Sequence, residues 1–365
     1  MSFGEEMWKR YVPKYLEALG APILAVGLYG TIRDFADGVF QYPGGWITDR
    51  YGRRTALLLF IGLASLGYLL YLFAPSWPYI IIGLFFVMAW ASMASPTIFA
   101  VIADTMPVHR RVAGFTLQSI LKKLPIGLAA WLGGIAIGAY GIAQGVQLGL
   151  IATLVIAAVT ALVALQIRVP SQSIATNQSQ FTLKQLSHDL RQLLVSDILV
   201  RICEGMVDVL VVIYATTVIG VSAPQFGLLV AVQMMTSIIV YVPAARAAER
   251  FGGRPFVIAT FLFFALYPVT VMASTGFLTL IGASIIGGLR EIGEPARKAM
   301  IVDLAHPEFR GRTVGMYYLV RSLTIAPSAF IGGLLWRITP GAPFVVAGAV
   351  GLAGVAHFIS TSRRS

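Results

Sequence analysis

Gly45-Trp46-Ile47-Thr48-Asp49-Arg50-Tyr51-Gly52-Arg53-Arg54 reappears 200 residues later as Ala245-Arg246-Ala247-Ala248-Glu249-Arg250-Phe251-Gly252-Gly253-Arg254. The same offset relates Pro43 to Pro243, Gly27-Leu28 to Gly227-Leu228, Pro107 to Pro307 and Arg110 to Arg310. A constant offset held over that distance means that the chain is two parallel copies of one unit. Each copy of the ten-residue stretch ends an apolar run, so the repeated unit is built from apolar segments with charged connections.

Composition says where those segments lie. Of 365 residues, 57% are hydrophobic and 12% charged, with a mean hydropathy of +0.80; soluble globular domains carry about 25% charged residues. Apolar runs near the length of a membrane-spanning helix fall at about 22–47, 55–74, 79–103, 112–138 and 145–168, then at 194–219, 223–248, 256–274, 277–301, 313–337 and 341–360. The 37 Gly and 18 Pro suit helices in lipid, where neighbours re-satisfy freed backbone groups. Cys203 is the one cysteine, which excludes a disulfide framework or a cysteine metal site. The net charge of +11 is spread in short clusters between apolar runs, not gathered on a basic face, so no nucleic-acid partner is expected.

Those clusters set an orientation. Arg50, Arg53 and Arg54, then Arg110 and Arg111, then Arg168, Lys184 and Arg191 occupy every second connection of the first copy. Arg246, Arg250 and Arg254, then Arg297, Lys298, Arg310 and Arg312, then Arg363 and Arg364 do so in the second. The intervening turns carry almost none, Arg337 being the near-exception, so the basic side, with the central connection and the C-terminus, is expected in the cytoplasm. Residues 169–193 read as a polar linker whose Leu183, Leu186, Leu190 and Leu193 form one face of a surface helix. The linker joins an N-terminal unit, 1–168, to a C-terminal unit, 194–365.

Counting back by the offset, the run at 194–219 maps to about −6 to 19, so the chain starts inside its opening helix. Residues 1–20, with Glu5, Glu6, Lys9, Arg10, Lys14 and Glu17, are too polar and too short to cross about 30 Å. A misplaced start codon is preferred over a form with about eleven full spans and a half-helix. No apolar core follows the first charges, so no signal peptide is expected.

With these features in place, Gly45-x-x-x-Asp49-Arg50-x-Gly52-Arg53-Arg54 resembles the signature loop between helices two and three of the major facilitator superfamily. Glu249, Arg250, Gly252 and Arg254 resemble the weaker copy between helices eight and nine. The resemblance covers the chain apart from the truncated opening. It implies an all-α polytopic membrane fold of two six-helix bundles related by a pseudo-twofold axis. It also implies a secondary transporter moving a small solute by alternating access, with Asp49 and Arg53 as a latch between bundles. Such parallel repeats are one architecture of transporters. Gly45 allows close helix approach, Gly52 a tight reversal, and Asp49 can cap a helix or pair with arginine.

Charges at membrane depth cost on the order of 2.5–3.5 kcal/mol each on insertion scales and mark function by default. The run at 22–47 holds Arg33, Asp34 and Asp37, with Arg33 and Asp37 spaced to pair. The run at 194–219 holds Arg201, Glu204 and Asp208, and that at 277–301 holds Arg290, Glu291 and Glu294. Lys122 and Lys123 stand opposite Arg321 in the other copy. The family's first, fourth, seventh and tenth helices line its cavity, which places Glu204, Asp208, Arg290, Glu291 and Glu294 there as solute or proton-coupling candidates. Arg33, Asp34 and Asp37 then belong to a helix at the side. A carboxylate at low dielectric can exchange a proton near neutral pH, so coupling to protons is expected.

Pro125 and Pro327, with the glycine pairs Gly133-Gly134 and Gly332-Gly333, resemble the Gly-Pro pattern of family exporters and tip the reading toward export. Trp90, Trp131 and Tyr214 read as packing or interface aromatics before solute platforms. His109, His188, His306 and His357 lack metal-ligand spacing, and no nucleophile–base constellation or phosphate loop is visible. No cofactor, no enzymatic activity and a monomer in the cell membrane are expected. The alternatives are a non-transporting receptor or scaffold of the same fold and an inactive truncated fragment.

Overall fold

Gly52 and Gly252 both adopt positive φ, +82° and +86°, with extended ψ of 160° and 149°, a conformation that costs a residue with a Cβ about 1–3 kcal/mol. Each turns one 29-residue helix into the next. In this computed structural model, which describes residues 1–93, 111–166, 187–304 and 310–361, these pairs are α3 (Ile23–Tyr51) with α4 (Arg53–Leu72), and α9 (Ala223–Phe251) with α10 (Arg254–Met272). Gly20 and Gly220 repeat the pattern at the opposite helix ends, with φ of +79° and +83°. The 200-residue repeat of the sequence is therefore also a repeat of backbone conformation.

The other elements follow in order. The chain opens with α1 (Ser2–Trp8) and α2 (Val12–Ala18), joined by a 3₁₀ turn at Lys9–Tyr11. After α4 come α5 (Trp77–Met88), which runs into a π-helical stretch at Ala89–Met93, then α6 (Arg111–Tyr140) and α7 (Ile142–Gln166). The second repeat opens with α8 (His188–Asp208), a single turn at Val211–Ile213 and a π-helical stretch at Tyr214–Val218. Beyond α10 lie α11 (Phe277–Leu289), α12 (Glu294–Asp303), α13 (Arg310–Ile325), α14 (Ser328–Trp336) and α15 (Ala342–Thr361). No strand occurs among the described residues.

Among the described residues, six helices are long and apolar enough to cross a membrane. At 29 residues α3 fails only on composition, because Arg33, Asp34 and Asp37 sit in its middle. The chain is inverted relative to a soluble protein. Val155, Leu162, Ile239 and Leu278 are 61%, 62%, 66% and 81% exposed, while Asp197 and Arg297 are 0% and 2%. Only a surround less polar than water favours that distribution.

The structure corrects several expectations. The runs at 194–219, 277–301 and 313–337 are interrupted, not continuous. Pro295 and Pro327 lack the amide that would carry the ladder through, so α11–α12 and α13–α14 each break just before or at them. Leu190 and Leu193 do not form a surface helix; they belong to α8 and are buried at 0% and 1%. Leu183 and Leu186 lie outside the described residues. Arg297 is no connection residue but the centre of a buried cluster. The opening segment, polar as it is, lies inside the bundle. Trp8, Tyr11, Val12, Tyr15 and Leu16 are at most 1% exposed, and Trp8 Nε1 donates to Thr153 Oγ1 of α7 at 3.0 Å. Its charges are accommodated by Tyr68, whose hydroxyl donates to Glu5 at 2.5 Å, and by the central cavity.

The repeats meet along two pairs, α3 with α13–α14 and α6 with α9. At the Gly20/Gly220 end they are closely sealed. Tyr11 Oη sits within hydrogen-bond distance of Ala130 O (3.2 Å) and Ala223 O (3.0 Å). Lys14 Nζ donates to Thr217 Oγ1 at 2.6 Å, and Phe330 N to Thr31 Oγ1 at 3.1 Å.

Candidate functional site

The mid-bundle charges of α3 meet the end of α8. Arg33 Nη2 donates to Asp34 Oδ1 at 3.0 Å and to Asp208 Oδ2 at 2.8 Å. The second contact joins the two repeats. A second such link is Lys123 of α6 with Glu291, Nζ to Oε2 at 2.7 Å. Between them lies a cavity of about 450 Å³. Its charged wall is made by Glu6, Lys9 and Arg10 from the opening segment, Arg33, Asp34 and Asp37 from α3, and Glu204, Asp208, Arg290 and Glu291 from the second repeat. Tyr29, Phe226, Gln233 and Tyr267 are among its other lining residues. A smaller space of about 280 Å³ adjoins it, sharing Arg33, Asp34, Asp37, Glu204 and Asp208 and adding Arg201 and Arg321. The Arg33–Asp208 pair thus borders both spaces.

Behind this wall the second repeat holds a dense ion-pair cluster. Arg297 binds Asp197 Oδ2 at 2.6 Å and Glu294 Oε2 at 2.8 Å. Arg201 donates to Glu294 and, at 2.8 Å, to Glu204. Arg290 reaches Glu204 at 3.3 Å and Arg321 reaches Asp197 at 3.4 Å, while Tyr317 Oη donates to Asp197 at 2.9 Å. The guanidiniums of Arg201 and Arg290 lie 4.6 and 4.8 Å from the Phe264 ring centroid, and Arg290 lies 4.4 Å from that of Tyr267. Desolvated cation–π contacts of this kind add roughly 2 kcal/mol each and fix the planes of both arginines.

The sequence candidates therefore divide. Glu204, Asp208, Arg290 and Glu291 face the main cavity. Glu294 does not; it is 6% exposed, held between Arg201 and Arg297. Arg33, Asp34 and Asp37 do not stand aside as the helix count implied, but line both spaces. Arg33 turns to Asp34 and Asp208, not to Asp37, which accepts from Ser92 Oγ at 2.6 Å. The spacing allowed the Arg33–Asp37 pair, but Asp208 from the other repeat competes for the same guanidinium. Arg321 borders the smaller space, and the side chain of Lys122 lies outside the described residues. Tyr214 packs against Trp336 and Phe344 at 6.0 and 4.6 Å between centroids, as a packing aromatic does.

Sequence reasoning missed Glu6, Lys9, Arg10, Asp197 and Arg297. The first three fall in a segment too polar to count as a span. The last two carried a usable signal, since Asp197 and Arg297 both lie inside apolar runs. In the repeated loop, Gly52 and Gly252 make the reversals expected of them. Arg50 lies over Trp46 at 5.1 Å, and Arg250 over Phe251 at 5.3 Å. Arg54 is the second residue of α4 and Arg254 the first of α10. The side chains of Gly45, Asp49, Arg53 and Glu249 lie outside the described residues.

Comparison with known proteins agrees with this architecture. The Major Facilitator Superfamily profile matches residues 11–201 and 193–365. An uncharacterized MFS-type transporter, YfkF, of Bacillus subtilis (strain 168) is 33% identical over 131 residues, 35% of this chain and 32% of that one. Solute carrier family 2, facilitated glucose transporter member 12, of Homo sapiens is 34% identical over 89 residues, 24% of this chain and 14% of that one. The chain thus spans about a third or less of the curated relatives it matches. Among solved structures, the nucleoside transporter NupG superposes with a TM-score of 0.81 at 11% identity, covering 98% of this chain and 97% of that one. A POT family transporter in complex with 5-aminolevulinic acid superposes with a TM-score of 0.76 at 14% identity, covering 100% and 95%. Identities this low speak for the fold alone. Matched by the profile over nearly its whole length, the chain belongs to the Major Facilitator Superfamily of membrane transporters.

Proposed function

We propose that the chain is a secondary active transporter that moves a small solute across the cell membrane by alternating access, driven by protons and directed toward export. The observation that carries this reading is the charged cavity of about 450 Å³ between the repeats, bordered by two ion pairs that join them, Arg33–Asp208 and Lys123–Glu291. Ion pairs across a moving interface can be exchanged for solute contacts, so the two repeats can rock without leaving a charge unanswered. Two six-helix bundles, the C-terminus and central connection in the cytoplasm, and a latch from Asp49 and Arg53 belong to the same proposal, as does action as a monomer. One proton moving down a 100 mV potential supplies about 2.3 kcal/mol.

Reconstitution into proteoliposomes tests it. Solute flux should respond to an imposed ΔpH or voltage; flux indifferent to both removes coupling from the reading. Glu204→Gln and Glu291→Gln keep shape and lose charge. Each is expected to lower coupled flux about tenfold, the scale of removing one charge-assisted hydrogen bond. Wild-type flux in both variants would dismiss the two carboxylates from coupling.

A further inference from the structure

Every carboxylate on the main cavity wall except one faces a cation. Glu6 lies 3.6 Å from Lys9 and 3.4 Å from Arg10, Asp34 and Asp208 share Arg33 at 3.0 and 2.8 Å, Glu204 has Arg201 and Arg290 at 2.8 and 3.3 Å, and Glu291 has Lys123 at 2.7 Å. Asp37 has no cation within ion-pair distance among the described residues. Its contact is the hydroxyl of Ser92, at 2.6 Å, on a residue that is 1% exposed. Asp37 borders both spaces, and its side is open to them.

We infer that Asp37 is the seat of a positively charged group on the transported solute, which makes the solute class a lipophilic organic cation. The inference rests on the transport reading above and names the solute class for its cavity. Three features meet at this carboxylate. Among the described residues it is an acceptor without a built-in counter-charge, and it is exposed to both spaces. Ser92 fixes one oxygen, leaving the other free for a ligand. Between its charged groups the cavity wall also carries apolar and aromatic side chains, Met88, Ala91, Phe226, Tyr29 and Tyr267, surfaces that attract the hydrocarbon body and the charge of an organic cation. A solute bearing only negative charge would meet six wall carboxylates against four wall cations.

Equilibrium binding to the purified full chain in detergent tests this without requiring transport. The probes are benzyltrimethylammonium, a permanent cation, and neopentylbenzene, its uncharged isostere. The wild type is expected to bind the cation at least tenfold more tightly than the isostere. Asp37→Asn should erase that preference, whereas Asp37→Glu should retain most of it. The melting temperature of each variant, measured beside binding, identifies a folded protein. Equal binding of the two probes, no binding of the cation, or an unchanged preference in folded Asp37→Asn would each overturn the assignment. Flux without cation preference would leave transport standing and remove this solute class, while cation binding without flux would do the reverse.

Discussion

Arg297→Leu is expected to cost about 3–5 kcal/mol of stability, the loss that follows when one member of a buried ion pair is removed. Arg297 is 2% exposed and serves two acids at once, Asp197 at 2.6 Å and Glu294 at 2.8 Å. Without it Asp197, at 0% exposure, keeps Tyr317 at 2.9 Å, Arg321 at 3.4 Å and the more distant Arg201 at 3.8 Å. None of these replaces the short charge-assisted bond, and Asp197 is closed to bulk solvent. Arg297→Lys should fall between, because an ammonium cannot serve two carboxylates in the planar fork that a guanidinium offers. The double variant Asp197→Leu with Arg297→Leu should be less damaged than Arg297→Leu alone, since it removes the most deeply buried acid together with its cation, while Glu294 keeps Arg201. Unfolding of the purified protein in mixed detergent micelles measures all three. Equal midpoints for the wild type and Arg297→Leu would show that the cluster contributes nothing to holding α8, α12 and α13 together.

That cluster also marks where the sequence can be read and where it cannot. Helix positions follow from apolar runs that have no other solution in lipid, and the runs expected at 22–47, 112–138 and 223–248 appear as α3, α6 and α9. Breaks are harder to see. Pro43, Pro243 and Pro268 sit inside intact helices, while Pro295 and Pro327 stand at the starts of α12 and α14, just after a break. The same residue type gives both outcomes because neighbouring helices, not the local sequence, decide whether the freed carbonyl is satisfied. Counting basic residues puts Arg297 in a connection, a rule blind to the acid at Asp197, a hundred residues earlier in the chain, that draws it inward.

Pairing is the least legible layer. Spacing on one helix names residues that share a face, and Glu204 with Asp208 do face one cavity. It cannot rank a neighbour four residues away against a partner on another helix, as Arg33 illustrates by choosing Asp208 over Asp37. The charges of residues 5–10 mislead for a related reason. Composition counts polarity for the segment as a whole, whereas the structure sorts it by direction, with Trp8 and Tyr11 packed against helices while Glu6, Lys9 and Arg10 turn to the cavity.

The largest expected effect on transport comes from a residue with no charge and no side chain. A Cβ on Gly227 would lie 2.5 Å from Ala130 O and 2.8 Å from Trp131 Cα, both backbone atoms of α6. A backbone cannot rotate aside, so α6 and α9 must part. Gly27 makes the equivalent approach in the other copy, where a Cβ would lie 2.8 Å from Ala329 O and 3.1 Å from Phe330 Cα. Both crossings are at the Gly20/Gly220 end, the end sealed by Tyr11 and Lys14. Gly227→Val is therefore expected to disfavour the sealed state by about 1–3 kcal/mol, the cost of overpacking, which shifts the ratio of the two access states by roughly 5- to 150-fold. Ala215, 0% exposed and on the cavity wall, reports the shift. An Ala215→Cys thiol should react faster with an impermeant maleimide added from the Gly20/Gly220 side when Gly227→Val is present, and solute flux should fall at least tenfold. The native Cys203 is buried and adds little background. Gly62→Val, which meets nothing within 4 Å, should leave labelling and flux unchanged. If Gly227→Val prevents folding, Gly27→Val wedges the second crossing independently. Unchanged labelling and flux in a folded wedge variant would mean that this end does not open during the transport cycle.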